Sequence, residues 1–179
     1  MPMEDVVTFM NPSLTNPVVR AAETTTGDLG VIGARFLMDG RATGSRFSLV
    51  EHPIVPRAMA APLHMHTRED EYSFIMDGEW GFWQDGAVAF AGPGDLVYKP
   101  RDVWHTFWNA ADQPGRLLEI ISPAGFDQFF VELATLVKSG PPALDALAAL
   151  NAAYGIRVDP AGTARIAAEY HLVTAPGMA

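Results

Sequence analysis

Two short blocks in the middle of the chain concentrate residues that bind divalent metals, and their spacing is typical of extended strands. The first block is His64-x-His66 followed by Glu71, and the second centres on His105. Side chains two positions apart on a strand leave the same face, so His64 and His66 should point together. Imidazole and carboxylate together suit iron, nickel, copper, manganese or zinc. The blocks therefore predict strands that converge on one transition metal ion.

Both blocks lie in strand-like runs that are bounded by turn signals. Glu71 opens the run Glu-Tyr-Ser-Phe-Ile-Met, which stops at Asp77-Gly78. His105 lies in the run Val-Trp-His-Thr-Phe-Trp, which follows a corner at residues 99–102. If the Glu71 run pairs with the strand of the first two histidines, the carboxylate lies beside them. Four protein ligands in an octahedral field would leave two adjacent positions open, which is a catalytic rather than a structural layout.

Two interpretations of this group stay open. A histidine in an apolar strand is more often a hydrogen-bonded core residue than a ligand, and a degenerate site would keep the same residues as polar filler. Two histidines at strand spacing, a nearby carboxylate and a third histidine one hairpin later favour the metal site. We therefore expect one ion per chain, held by His64, His66, Glu71 and His105.

Both blocks resemble the two sequence motifs of the cupin superfamily. The first family motif is a glycine, five residues, His-x-His, three or four residues, Glu, six residues and Gly; here only the leading glycine is missing, and Ala58 stands in its place. In the second motif, Asp102 replaces an inner glycine, and Asp tolerates a left-handed backbone better than most residues do. The positions that match the second motif are Gly94, Pro100, His105 and Asn109.

The resemblance covers residues 58–109 and implies the cupin fold, a jelly-roll barrel also described as a double-stranded β-helix. It also implies one divalent transition metal per chain, of which iron, nickel, manganese, cobalt, copper and zinc are candidates. Among cupins, the chain looks most like small bacterial quercetinase-like proteins, on its ligand set, its size and its barrel followed by helices. Cupins host many activities, so the motifs indicate fold and metal more strongly than reaction.

The resemblance favours a dioxygenase that acts on an aromatic or enolic small molecule. The ion would lower the pKa of a bound hydroxyl, and Glu71 would be both a ligand and the catalytic base. Two other function classes stay open. One is non-oxidative metal-dependent isomerisation, decarboxylation or polyketide cyclisation, and the other is a cupin that binds a small molecule without turnover.

Strand alternation predicts which side chains surround the ion. A mostly apolar pocket with a few polar groups is typical of small-molecule sites. An equally weighted alternative is that the apolar side chains are simply barrel core. The side chains that should point inward together with the ligands Glu71 and His105 are Ser73, Ile75, Val103 and Phe107.

Four other titratable residues receive a different interpretation. His52 and His171 are predicted to be surface or capping residues without a role in the site. Glu69 and Asp70 are interpreted as solvated loop charges. Either of these acids would replace Glu71 if the strand register slipped by one or two residues.

The chain is long enough for one domain over residues 1–179, and it divides into three parts. Residues 1–28 are rich in Pro, Asn and Thr and predict an N-terminal arm. Residues 29–123 hold many short strand-like runs, with the clearest hairpin signal at Asp85-Gly86. Many short strands with regular turns predict a mainly β sandwich or barrel.

Residues 124–179 change to helical periodicity and predict a C-terminal helical extension. A first amphipathic helix should begin near Phe126 and end at residues 139–141, and a second should follow over residues 142–154. A third should begin at Asp159-Pro160, where aspartate caps and proline takes the first turn. Packing against the barrel or a partner subunit is favoured over a cofactor-binding role.

Composition argues against several classes of partner and location. The formal net charge of -9 and the isoelectric point near 4.8 argue against nucleic acid and anionic membranes. No cysteine is present, so disulfides and thiolate ligands are excluded. The start Met-Pro-Met-Glu-Asp lacks the basic residues of a secretory signal, and no apolar run approaches membrane length. We therefore expect a cytoplasmic protein.

Apolar side chains on the predicted outer face indicate self-association. Together they would form a larger apolar surface than a soluble monomer usually exposes, unless the helical tail covers it. A homodimer is therefore expected. These outward residues are Tyr72, Phe74, Met76 and Trp104.

Overall fold

The computed structural model describes residues 16–175 and residue 178. The part of the predicted N-terminal arm that precedes residue 16 lies outside the described residues. From residue 16 onward, the arm contains a 3-10 turn at Ala21–Glu23 and a short strand at Thr26–Asp28.

Two antiparallel sheets built from short strands share one hydrophobic core. The strands are, in chain order, β1 (Thr26–Asp28), β2 (Gly33–Met38), β3 (Ser48–Ile54), β4 (His64–His66), β5 (Asp70–Asp77), β6 (Trp80–Gln84), β7 (Ala87–Ala91), β8 (Leu96–Lys99), β9 (His105–Asn109), β10 (Gly115–Ser122) and β11 (Ile156–Val158). The six-stranded sheet has the order β1-β2-β3-β10-β5-β8, and the five-stranded sheet has the order β11-β4-β9-β6-β7. The mainly β jelly-roll architecture predicted from the sequence is confirmed.

The β6–β7 hairpin forms where the sequence predicts it. Asp85 and Gly86 both have positive φ angles, 48° and 89°, as a two-residue primed turn requires. The strands then pair from Gln84 with Ala87 to Trp80 with Ala91. The local turn chemistry therefore sets the register of this edge of the five-stranded sheet.

The outer face of the five-stranded sheet is covered by the C-terminal part of the chain. Trp108 points outward from β9 yet is buried, because Leu63, Ile166 and Tyr170 pack over it. Its indole ring lies 4.6 Å from the ring of Tyr170. A Cβ atom at Gly81 on the neighbouring strand would overlap this indole, so the glycine makes room for it.

The helices are α1 (Gly40–Thr43), α2 (Asp127–Val137), α3 (Leu144–Ala153) and α4 (Pro160–Glu169). The last three confirm the predicted C-terminal helical part. At the start of α4, the Asp159 side chain accepts a hydrogen bond from the Gly162 amide at 2.9 Å, and Pro160 occupies the first turn. Across the described residues, no helix has the length and apolarity that crossing a bilayer requires.

Strand β11 lies between α3 and α4, where the sequence indicated only helices. It pairs antiparallel with β4, so that Ile156 lies opposite His66 and Val158 opposite His64. A run of three residues between two helices is too short to give a periodic signal. The C-terminal extension therefore adds a strand to the sheet that carries two predicted ligands.

Candidate metal centre

The four predicted ligands meet inside the barrel, but they come from two different sheets. His64 and His66 lie on β4 and His105 lies on the adjacent β9, with His64 and His105 directly opposite each other. Glu71 lies on β5 of the facing sheet, so β5 does not pair with β4 as the sequence suggested. All four side chains are buried, and their potential ligand atoms lie within 4.8 Å of one another.

Hydrogen bonds to the backbone orient two of the imidazole rings. The Nδ1 atom of His64 lies 2.7 Å from the Pro62 carbonyl oxygen, and that of His105 lies 2.9 Å from the Val103 carbonyl oxygen. Because a carbonyl oxygen can only accept, each Nδ1 carries the proton and each Nε2 of the neutral ring keeps its lone pair. Such a tautomer presents Nε2 to a metal ion.

The Nε2 atoms of the cluster are close enough together to hold one metal ion. The Nε2 atoms of His64 and His66 lie 3.1 Å apart. The Nε2 atom of His105 is buried and has no hydrogen-bond partner within the described part of the chain. Buried polar atoms of this kind require an explanation, and a shared cation supplies one. The nitrogen and oxygen donor set therefore fits a divalent transition metal.

Burial keeps the first two histidines neutral. It lowers the pKa of His64 well below its ordinary value, and the neighbouring imidazoles add to the effect. It also lowers the pKa of His66 to about 4, although the Glu71 carboxylate opposes the shift. Neutral imidazole is the form that binds a metal, so both rings are ready to coordinate at neutral pH.

Glu71 is held as a carboxylate by its surroundings. Its Oε1 atom lies 3.5 Å from His66 Nε2, and its Oε2 atom lies 2.9 Å from the ammonium of Lys99. Burial by itself raises the pKa of Glu71, but Lys99 and the imidazoles outweigh burial and lower the pKa well below its ordinary value. The cluster therefore contains one carboxylate that is charged at neutral pH.

Lys99 and Glu119 extend the site in a way that sequence reasoning missed. Lys99 is fully buried between two carboxylates, and its Nζ atom lies 2.8 Å from Glu119 Oε2 in addition to its contact with Glu71. The Ser73 hydroxyl donates to Glu119 at 3.0 Å. Burial raises the pKa of Glu119 to about 7, even though the Lys99 charge opposes the rise. A charged residue within the apolar run of β10 was the sequence signal for this group.

The two acids that flank Glu71 lie in different surroundings. Asp70 is the first residue of β5 rather than a loop residue, and it forms a partly exposed ion pair with Arg101 at 2.8 Å. Glu69 is buried rather than solvated, and its Oε2 atom lies 3.8 Å from His66 Nδ1. Neither acid replaces Glu71, because the β5 register directs Glu71 into the cluster.

A cavity of about 150 Å³ adjoins the cluster. His64, His66 and Glu71 line it on one side. Most of the remaining lining is apolar, and much of it comes from the C-terminal helical extension. Some of these apolar side chains come from the barrel interior, and others come from α2 and the residues that precede it. They include Leu29, Ile32, Phe107, Phe126, Phe129, Phe130, Leu133 and Val137.

The four residues that strand alternation predicted around the ion do not all lie in the cavity wall. Phe107 lines the cavity, whereas Ile75 is fully buried in the core. Ser73 is buried against Glu119, and Val103 contributes its carbonyl oxygen to His105.

His52 does not lie at the surface as the sequence suggested. It is 2% exposed and lines the cavity from β3. Its neighbour Pro53 indicated a bend, but β3 continues through this proline to Ile54. His171 is exposed at the end of the chain, as expected.

Comparisons with known proteins agree with this architecture. Residues 52–121 match the family model described as cupin domain. KdgF from Halomonas sp. superposes with a TM-score of 0.55 at 18% identity, over 62% of this chain and 96% of that chain. A predicted oxalate decarboxylase from Thermotoga maritima superposes with a TM-score of 0.54 at 23% identity, over 59% of this chain and 98% of that one.

A sugar phosphate isomerase of the cupin superfamily from Silicibacter pomeroyi gives a TM-score of 0.52 at 22% identity, over 59% of this chain and 75% of that one. At these identities, the three likenesses show a shared fold. A search of curated proteins gives no significant match.

Proposed function

Because the chain belongs to the cupin superfamily through its central domain, we propose that it is an enzyme dependent on one divalent transition metal. Iron, nickel, manganese, cobalt, copper and zinc all suit the donor set. The convergence of unprotonated ring nitrogens and one carboxylate beside an apolar cavity carries this proposal. The proposed ligands are His64, His66, Glu71 and His105.

The reaction that we favour is dioxygenation of an aromatic or enolic small molecule. A bound divalent ion would supply Lewis acidity that lowers the pKa of a coordinated substrate hydroxyl. The aromatic side chains Phe107, Phe126 and Phe129 line the cavity, exclude water and offer faces on which a ring can lie. Glu71 would accept the hydroxyl proton at Oε1, because its Oε2 atom is bonded to Lys99.

Oxygen uptake tests this reaction directly. Metal-free protein is reconstituted with each of the six metals and screened with phenolic and enolic compounds in an oxygen electrode. We expect oxygen consumption in proportion to substrate loss with at least one metal, and none without metal. Substrate loss without oxygen uptake would contradict the dioxygenase and favour the second candidate. Recovery of unchanged ligand after long incubation with every metal would indicate a binding protein.

The second candidate is non-oxidative chemistry on the same kind of substrate: isomerisation, decarboxylation or cyclisation. The buried array of Glu71, Lys99 and Glu119 favours it, because such reactions return a proton to carbon. Lys99 lies between the two carboxylates and is placed to pass a proton between them. Incorporation of deuterium from heavy water into product under anaerobic conditions would identify this chemistry.

The cytoplasmic location and the homodimer remain predictions. The apolar residues on the outer face of β5 and β8 support the homodimer, since Phe74 and Tyr98 stay exposed.

A further inference from the structure

We infer that the cavity selects a ligand of one aromatic ring with two polar substituents, one that faces the metal cluster and one that donates a hydrogen bond to Nε2 of His52. Only the substituent that faces the metal cluster rests on the proposed function. The His52 end of the cavity stands on its own observations.

The hydrogen bonding of His52 leaves one ring nitrogen open. Its Nδ1 atom lies 2.8 Å from the carbonyl oxygen of Gly33. Since that oxygen can only accept, Nδ1 carries the proton and Nε2 carries the lone pair. Nε2 has no hydrogen-bond partner among the residues that the structure describes. His52 lines the cavity, so a ligand hydroxyl there can supply the hydrogen bond that Nε2 does not receive from the protein.

The ring of His52 is fixed and neutral. Its edge contact with Phe130, at 4.8 Å between ring centroids, holds the imidazole in place. Burial, with a smaller contribution from the Lys99 charge, lowers the pKa of His52 to about 4, although the hydrogen bond to Gly33 and the Glu71 charge oppose the shift. A neutral ring with this tautomer can accept a hydrogen bond but cannot donate one from Nε2. The recognised substituent must therefore be a donor, such as a hydroxyl.

The other buried carboxylate beside the cavity is already satisfied. Glu119 lines the cavity but accepts hydrogen bonds from Lys99 at 2.8 Å and from Ser73 at 3.0 Å. It gains less from a ligand donor than His52 does, because it has bonded partners in the protein. His52 is therefore the group at which a second hydroxyl makes the largest difference.

The volume of the cavity suits a ligand of one ring. An apolar cavity of about 150 Å³ is known to hold benzene, and this cavity has a volume of about 150 Å³. A flavonol has three rings and needs several times the space of benzene. The stacked faces of Phe126 and Phe129, with centroids 4.9 Å apart, suit a flat ring at the wall formed by the C-terminal extension.

Calorimetric titration of the zinc-loaded protein tests the inference, since zinc is redox-inert and leaves the ligand unchanged. The probes are phenol, the three benzenediols, 3-methoxyphenol and a three-ring flavonol. We expect at least one benzenediol to bind about tenfold more tightly than phenol, the effect of one hydrogen bond to a buried acceptor. 3-Methoxyphenol lacks the second donor and should bind like phenol, and the flavonol should bind more weakly than the benzenediols.

Two variants assign the effect to His52. His52→Leu removes the acceptor and should abolish the preference for the diol over phenol, while zinc content stays within about twofold of the parent. His52→Gln keeps an acceptor oxygen at a similar distance and should restore part of the preference. Equal binding of phenol and all benzenediols to the parent protein would overturn the inference, and that comparison needs no variant. Equally tight flavonol binding would overturn the size limit.

The same titrations distinguish this inference from the proposed function. If none of the six candidate metals binds, the metal proposal fails, and the preference of the metal-free protein for benzenediols over benzene still tests His52. If zinc binds and no benzenediol is preferred, the His52 inference fails while the metal centre stands.

Discussion

The two sheets of the barrel contribute different chemistry to one interior. The five-stranded sheet contributes three imidazoles, from His64, His66 and His105. The six-stranded sheet contributes charged groups, namely Glu71, Lys99 and Glu119, on strands β5, β8 and β10. The first sheet thus offers imidazole nitrogens for a cation, and the second sheet sets the charge balance and holds protons. Substitutions in the two sheets should therefore have different effects on metal binding, activity and stability.

The outer faces of the two sheets differ as well. The five-stranded sheet has its outer tryptophan, Trp108, buried beneath α4 and the residues that follow it. The six-stranded sheet leaves Phe74 40%, Tyr98 49% and Leu96 58% exposed around β5 and β8. The C-terminal segment thus covers the five-stranded sheet around Trp108 but leaves Phe90 of β7 56% exposed, whereas no described residue covers Phe74, Leu96 and Tyr98 on the other sheet.

The largest expected effect lies in the five-stranded sheet. His105→Ala removes one donor and leaves the other three without a complete coordination set, so the protein should lose most of its metal. The barrel should stay folded, because the core residues of β9 are Phe107 and Trp108. Elemental analysis after reconstitution and dialysis measures the loss, and circular dichroism checks the fold.

His171→Asn is the matched control for this variant. His171 is exposed and has a φ angle of 54°, which asparagine tolerates. This variant should keep its metal. Full metal occupancy in the His105→Ala protein would remove His105 from the ligand set.

Replacement of Glu71 tests the role of the charged groups on the six-stranded sheet. Glu71→Gln keeps the size and one coordinating oxygen but removes the charge and the basicity. Metal binding should fall yet remain measurable, while turnover per bound metal should fall by about 10²- to 10⁴-fold, the usual loss for a general base. Steady-state rates divided by metal content measure this. Glu169→Gln on the exposed face of α4 serves as control. Equal turnover per metal would make Glu71 a ligand only.

Lys99→Met should reduce stability rather than remove the metal. The substitution leaves two buried carboxylates, Glu71 and Glu119, without their shared cation. Removal of one partner from a buried ion pair typically costs about 3–5 kcal/mol. Urea denaturation of metal-free protein measures the change, with the exposed Lys138→Met as control. Added metal should recover part of the loss, because it compensates the Glu71 charge. An unchanged free energy of unfolding would contradict the charge balance described here.

The lowered pKa of His52 predicts that the free energy of unfolding depends on pH. Burial lowers its pKa from 6.5 to about 4, so between these values the unfolded chain binds more protons than the folded one. Its contribution is complete above pH 6.5 and is lost as the pH falls towards 4, by up to about 3 kcal/mol. The charges of Lys99 and Glu71 act on the pKa of His52 in opposite directions, and both groups stay charged over this range.

Free energies of unfolding of the metal-free parent and His52→Gln proteins, measured between pH 7 and pH 4.5, isolate this contribution. The variant should lose less stability than the parent on acidification, because the other histidines are common to both. Parallel pH profiles would contradict a buried neutral His52.

The smallest effect concerns the open outer face. We expect light scattering at micromolar concentration to give a mass of twice 19.3 kDa. Leu96→Glu should weaken the dimer by about tenfold, which corresponds to about 1.4 kcal/mol. Leu144→Glu, on the exposed side of α3, should leave the mass unchanged. A parent mass near 19.3 kDa would show that the face is open in a monomer.

The sequence predicted the elements whose signals are local. The two-residue alternation of His64 and His66, the turn at Asp85-Gly86 and the cap at Asp159 each depend on a few neighbouring residues, and each lies where it was expected. The cupin fold was expected from the resemblance of two motifs, and each motif is also defined by residues that lie close together in the sequence.

Features that depend on distant residues were missed. Glu71 reaches the histidines from the opposite sheet, which no local pattern distinguishes from pairing in the same sheet. The burial of His52 and Lys99 depends on partners far along the chain, Gly33 and Glu119. The cavity owes much of its wall to α2, whose apolar periodicity indicated packing without showing what it would cover.

The pairing of β4 with β11 determines when, during synthesis of the chain, the strand of His64 and His66 can find its partner. The strand with His64 and His66 leaves the ribosome about ninety residues before Ile156–Val158, its partner. In the described part of the chain, its register with β9 joins His64 to His105, whereas its register with β11 spans all three residues of β4. A nascent chain that has reached His105 thus carries every proposed ligand but not the strand that fixes two of them. We therefore expect the centre to mature only once the C-terminal segment has been synthesised and β11 has paired with β4.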